Sequence, residues 1–156
     1  KFYKMKKIEN KYIFLVDVDG TLSTGEYICD EKGKKYKVFG PDDTDALKLL
    51  KKFLHIEFIS GDKKGFKISK NRIVDHMGFK LSYVSSYNRI EWILKNFKNK
   101  KVIYMADGIF DHKVFKKVTM YQVVTVVTEQ LQMDVDIFER FFLRKIFTVF
   151  LYEYCF

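Results

Sequence analysis

Four short strand-like runs, mostly apolar and separated by segments with helical spacing, constrain this chain more than any other feature of its sequence. Tyr12 to Val16 (YIFLV) is unbroken and suits a strand buried on both faces. From Asp42 to Leu54 the pattern becomes helical, with Ala46, Leu49, Leu50 and Phe53 on one stripe and Pro41 and Asp42 as start signals. Ile56 to Ile59 is the next strand. Phe66 to Met77 carries Ile73, Val74 and Met77 at helical spacing, with Gly78 as its stop. Leu81 to Val84, a helix bearing Ile90, Ile93, Leu94 and Phe97, and the strand Val102 to Ala106 (VIYMA) complete the series. The order β, α, β, α, β, α, β predicts an α/β fold, a Rossmann-like parallel sheet flanked by helices. Ligands bind such sheets at the carboxyl ends of the strands, here after Val16, Ile59, Val84 and Ala106.

Thr24 to Phe39 (TGEYICDEKGKKYKVF) interrupts the series after the first strand. Short alternating runs on either side of Asp30 to Gly33 predict a β-hairpin insertion over about residues 24–39. It reads either as a surface hairpin or as an oligomerisation or lid element, because Tyr27, Ile28, Tyr36 and Val38 need a partner. With one proline and eight glycines among 156 residues there is no linker, so residues 1–156 read as one domain.

The formal charge of +9 invites a nucleic-acid reading, but Lys6, Lys34, Lys51, Lys70, Lys98 and Lys116 are scattered and form no module. A basic surface that attracts small anions is the expectation, without nucleic acid. Cys29 and Cys155 form no C-x-x-C pair, so neither a disulfide framework nor zinc is suggested. The basic N-terminus leads into only five apolar residues, too few for a signal core or a membrane span. A cytoplasmic protein is expected. The chain opens on Lys1 and not on methionine, which leaves its natural start open.

Chemistry concentrates at the strand ends. Asp17-Val18-Asp19-Gly20-Thr21 places two carboxylates directly after a buried strand, where they need a cation, and magnesium is the natural one. One carboxylate can attack phosphorus while the other handles the leaving group's proton. Ser60-Gly61 follows the second strand of the series, where a hydroxyl and a glycine allow donors close to a phosphate. Ala106-Asp107-Gly108-Ile109-Phe110-Asp111 adds two carboxylates after the fourth. Asp107 can reach a metal held at the first strand; Asp111 either binds it through water or caps the next helix. Lys63 and Lys64 read as solvent-facing, with phosphate contact the alternative. His55, His76 and His112 form no ligand cluster, and Trp92 is expected to pack.

Through DVDGT, the serine of FISG and ADGIFD, in that order and at those strand ends, the sequence resembles the haloacid dehalogenase (HAD) superfamily of phosphohydrolases. It is most similar to the capless branch typified by 3-deoxy-D-manno-octulosonate 8-phosphate phosphatase, whose hairpin is like STGEYICDEKGKKYKVF; the resemblance spans residues 8 to 118. It implies a phosphoaspartate mechanism with Asp17 as nucleophile, Asp19 as general acid and base, and Ser60, Gly61 and Arg89 as phosphate-binding residues, with Lys63 a further possibility. It also implies Mg2+ held by Asp17, the Asp19 carbonyl and Asp107. The substrate would be a small anionic sugar phosphate and the assembly a homo-oligomer, a tetramer by resemblance, with the neighbour's hairpin excluding water.

Three departures stand out. Ala106 replaces the usual glycine, so that its methyl is expected to crowd the metal ligand, and Arg89 replaces the usual lysine. Asp62 stands where many relatives carry a cation, so altered substrate contacts are expected there. Beyond Val118 the resemblance fades; Tyr121 to Val127 can supply a strand, and Ile137 to Phe156, rich in Phe and Leu but broken by charges, reads as a helix packed on the sheet or on a subunit and not as a membrane span. The rival to an enzyme is a weakly active or inactive binding or assembly module.

Overall fold

A computed structural model describes residues 12–117 and the backbone of 122–124. Among these residues the elements are β1 (Tyr12–Asp17), β2 (Ser23–Asp30), β3 (Gly33–Phe39), α1 (Asp43–Leu50), β4 (His55–Ser60), α2 (Phe66–Lys70), β5 (Lys80–Tyr83), α3 (Arg89–Asn96), β6 (Lys101–Ala106), α4 (His112–Phe115) and β7 (Gln122–Val124). A wider helical turn, Asn71–His76, continues α2. The strands form a parallel sheet in the order β5-β4-β1-β6-β7, and β2 pairs with β3 as a separate antiparallel hairpin. The α/β fold and the hairpin are as the sequence predicts.

β1 lies at the centre, with Asp17 beside Ile59 of β4 and Val16 beside Met105 of β6. Side chains alternate across a strand, so Ile13 and Leu15 face one side while Phe14 and Val16 face the other, and all four are buried. One face packs Ile13, Leu15, Ile59, Val102, Tyr104 and Ala106 against Ile93 of α3, Phe97 just after it, and Val114 and Phe115 of α4. Trp92 leans on this core and meets Phe97 edge-on, ring centroids 5.5 Å apart. Phe58 packs edge-on against Phe79 at 5.5 Å. Gly78, at φ +72°, takes the left-handed conformation that ends the helix before β5.

Two helical stripes differ from expectation. α1 ends at Leu50, and the three residues before the buried Leu54 form an irregular turn. The helical phase therefore does not carry to Phe53, so Leu47 is the buried residue of α1 and Leu49 is 41% exposed. In α3, Ile93 and the following Phe97, four apart, meet the sheet, which turns the adjacent Leu94 outward. The strand expected at Tyr121 to Val127 is present as β7, parallel to β6; the readings for the rest of the C-terminal segment lie outside the described residues.

Candidate active site at the carboxyl ends of β1, β4 and β6

The chain leaves β1 at Asp17 into an irregular turn, Val18–Leu22, in which Asp19 is extended (φ −85°, ψ 110°) and Gly20 is left-handed (φ +87°). Gly20 is required twice over. Its φ is one that residues with side chains rarely adopt, and a Cβ there would stand 1.9 Å from Asp107 Oδ2. The turn after β1 and the loop after β6 are thus pressed together at one point, and Thr21 Oγ1 donates to Asp107 Oδ1 at 3.0 Å across the same contact.

Asp17 is 3% exposed. Burial pushes its carboxyl up to about 7; Arg89 opposes that shift, while Asp111 and Asp107 add to it. Arg89, at the start of α3, donates from Nη2 to Asp17 Oδ1 at 2.8 Å and from Nη1 to both oxygens of Asp111 at 2.7 and 2.9 Å. Tyr104 in mid-β6 completes this buried cluster, its hydroxyl donating to Asp111 Oδ1 at 2.6 Å. Asp111 also accepts the Gly108 N–H at 3.1 Å, and so caps the short turn of helix after β6, one of the two roles the sequence left open. Burial would lower the affinity of Arg89 for its proton, but Asp17, Tyr104 and Asp111 outweigh that and raise it. Arg89 Nε, buried, has no hydrogen-bond partner among the described residues.

Asp19 points elsewhere. Its Oδ2 accepts the Ser60 hydroxyl at 2.7 Å and its Oδ1 the Lys37 ammonium at 2.5 Å. Ser60, fully buried, also accepts the Asp62 N–H at 3.2 Å. Gly61 lets the loop after β4 approach the next one: a Cβ there would lie 3.2 Å from Ser86 Oγ and 3.3 Å from the Val84 carbonyl.

Sequence reasoning missed Lys37, Thr21 and Tyr104. Asp62, where altered substrate contacts were expected, is bound by Lys34 at 2.6 Å and by Lys37 at 3.0 Å. Burial pushes its carboxyl up, but the hydrogen bonds from Lys34, the Gly65 N–H and Lys37 outweigh that and hold it well below the usual range. The clue lay in the lysine-rich β3 facing the acidic strand ends, but which lysine turns inward depends on the bulges in the hairpin register. Lys63 and Lys64 are exposed. The Ala106 methyl, expected to crowd the metal ligand, is fully buried in the core, because the side chain of a strand residue alternates away from that of the next.

A divalent cation fits the strand ends. Asp17, Asp107 and Asp111 share Arg89 as their neighbouring cation, and the Asp107 carboxyl, like that of Asp17, is raised by burial first and by Asp111 as well. Among the described residues no three acidic, histidine or cysteine side chains already gather as ligands, since Asp19 is turned to Lys37 and Ser60. Two carboxylates with the remaining positions left to carbonyl and water is a common magnesium arrangement.

No protein-family model matches the sequence, and no curated protein matches it. Solved structures do. A subfamily III A hydrolase of the HAD superfamily from Legionella pneumophila superposes with a TM-score of 0.61 at 22% identity, covering 77% of this chain and 68% of its own. The cobalt-bound 3-deoxy-D-manno-octulosonate 8-phosphate phosphatase of Haemophilus influenzae gives 0.56 at 23% identity, covering 69% of this chain and 64% of its own. The Moraxella catarrhalis phosphatase, in complex with magnesium, phosphate and the sugar acid, gives 0.55 at 22% identity, covering 68% and 63%. The chain thus spans about two thirds of the length of these structures or slightly less, from 63% to 68%. Their likeness shows that this chain has the fold of the HAD hydrolases, with 3-deoxy-D-manno-octulosonate 8-phosphate phosphatases among the structures it resembles.

Proposed function

We propose that this protein is a phosphomonoesterase of the HAD type that requires a divalent cation, magnesium, and hydrolyses a small anionic sugar phosphate. The observation that carries the reading is the buried Asp17 carboxyl at the end of β1, held by Arg89 at Oδ1 and near enough to Asp107 to be raised by its charge, with Asp107 itself pressed against Gly20. The carboxylates of Asp17 and Asp107 and the Asp19 carbonyl would hold the ion. When bound, it supplies charge that neutralises the phosphate and keeps both carboxylates ionised.

Asp17 is the nucleophile. One of its oxygens attacks phosphorus while the bond from phosphorus to the ester oxygen breaks, and the Asp19 proton passes to that oxygen, releasing a neutral alcohol. Water then attacks the aspartyl phosphate and gives a proton to Asp19, and phosphate leaves with Asp17 restored. Arg89 orients Asp17 and offsets its burial. The basic balance of the chain, 29 Lys and Arg against 20 Asp and Glu, draws anions to the surface.

Sugar phosphates, 3-deoxy-D-manno-octulosonate 8-phosphate in particular, are favoured by the resemblance to the neighbouring structures. The exposed hairpin side chains Tyr27 (56%), Ile28 (61%) and Tyr36 (65%) support assembly into a homo-oligomer. Among the described residues no helix is long and apolar enough to cross a membrane; a cytoplasmic location and a single domain remain part of this proposal. Phosphate release from a sugar-phosphate panel, with magnesium and with chelator, tests the reading. Release that depends on magnesium and is lost in Asp17→Asn supports it; release unaffected by that substitution overturns it.

A further inference from the structure

Lys37 is unlike its neighbours on β3. Tyr36 is 65% and Val38 41% exposed, yet the Lys37 side chain is 2% exposed. Its ammonium reaches Asp19 Oδ1 at 2.5 Å, Ser69 Oγ at 2.9 Å and Asp62 Oδ2 at 3.0 Å, so all of its donors are engaged. A buried lysine is costly unless it is paired in this way. Docking the hairpin does not by itself need Lys37, because Lys34 already grips Asp62 at 2.6 Å. What Lys37 adds is the contact with Asp19.

The two oxygens of Asp19 are held unequally. Oδ1 meets a charged donor with further anchors on Asp62 and Ser69, and Oδ2 meets the neutral Ser60 hydroxyl. A carboxylate oxygen holds an ammonium, where both partners are charged, more strongly than it holds a neutral hydroxyl, so Oδ2 is the oxygen that exchanges its partner. We propose that Lys37 is a positioning residue that acts as the pivot of Asp19, fixing Oδ1 so that Oδ2 can exchange the Ser60 hydroxyl for a proton taken from solvent and pass that proton to the departing ester oxygen. The hairpin is then part of the proton-transfer apparatus. The assignment rests on the phosphatase reading above. Attack by Asp17 is independent of Lys37, since Arg89 holds Asp17 from another element.

That independence supplies the test. An aryl phosphate such as p-nitrophenyl phosphate departs as a stable anion and needs little protonation, whereas a sugar phosphate departs as an alkoxide unless it is protonated. Kinetics of the full chain with magnesium are compared on both esters for wild type, Lys37→Met and Lys37→Arg. Lys37→Met is expected to lower kcat on the sugar phosphate on the order of a hundredfold and on the aryl phosphate by less than about fivefold, and Lys37→Arg to recover at least about tenfold of the loss. If Lys37→Met does not fold, Lys37→Gln, which keeps a donor without the charge, takes its place. Equal losses on the two esters, or no loss on either, overturn the pivot while leaving the phosphatase reading intact. A wild-type chain that releases no phosphate from any ester overturns both.

Discussion

Arg89 Nη2 and Asp17 Oδ1 are joined by a 2.8 Å hydrogen bond between two side chains that are each 4% exposed. The same guanidinium grips Asp111 with its other terminal nitrogen, so one residue at the start of α3 ties β1 to the loop after β6. Arg89→Met would leave Asp17 and Asp111 buried without their cation. A loss of about 3 to 5 kcal/mol in urea-unfolding free energy is expected, together with loss of turnover. Arg89→Lys keeps the charge but cannot bridge both carboxylates, and is expected to fall between wild type and Arg89→Met on both measurements.

Gly20→Ala tests the close approach at the metal end. Its Cβ would overlap Asp107, and its φ would be strained. The circular dichroism spectrum is expected to be retained while magnesium-dependent phosphate release drops on the order of a hundredfold or more, because a small displacement of a positioned carboxylate is felt directly by the chemistry. Normal turnover in Gly20→Ala would show that Asp107 takes no part.

Asp107 is raised by burial and by the neighbouring Asp111. Without metal, Asp107→Asn should therefore be as stable as wild type or more so. With magnesium the order should reverse: wild type gains by mass action, about 2.7 kcal/mol at a hundred times the dissociation constant, and the variant gains little. Thermal melting with and without magnesium measures both.

Two carboxyls, Asp17 buried and Asp62 partly buried, give opposite pH dependence to the stability of the metal-free protein. Asp62 is held below its ordinary value of 3.8, so its contribution is full above about pH 4 and is lost as the pH falls below that. Asp17 is raised from 3.8 to about 7, so the folded state keeps a proton that the unfolded state has released, and stability falls as the pH rises through that window. Urea midpoints across pH 2 to 8 should show both limbs. Asp62→Asn should flatten the acid limb, and Asp17→Asn the upper one.

Much of the fold was legible because buried parallel strands carry their own signature. YIFLV and VIYMA are continuous apolar segments, the run at Ile56 is broken only by Glu57, and the side chains of Ile13 to Val16 are indeed buried on both faces. The helix stripes were less legible, since α1 ends a turn early and a pattern read past its end selects the wrong face. At the site, the carboxylates could be named because each ends a strand. Lys37 and Tyr104 could not. One turns inward only through the bulged hairpin register and the other lies in mid-strand, so neither sits in a motif. Nor did the sequence show that Asp62 serves the hairpin, a pairing of residues 28 positions apart made by the docking of β3 against the loop after β4.

The most direct test of the proposed chemistry is acid quench of the protein during incubation with magnesium and a sugar phosphate, followed by mass spectrometry of its peptides. Phosphate is expected on the peptide that carries β1, at Asp17, and is expected to be absent from Asp17→Asn. Turnover with no label at Asp17, or with the label on another residue, would contradict the account.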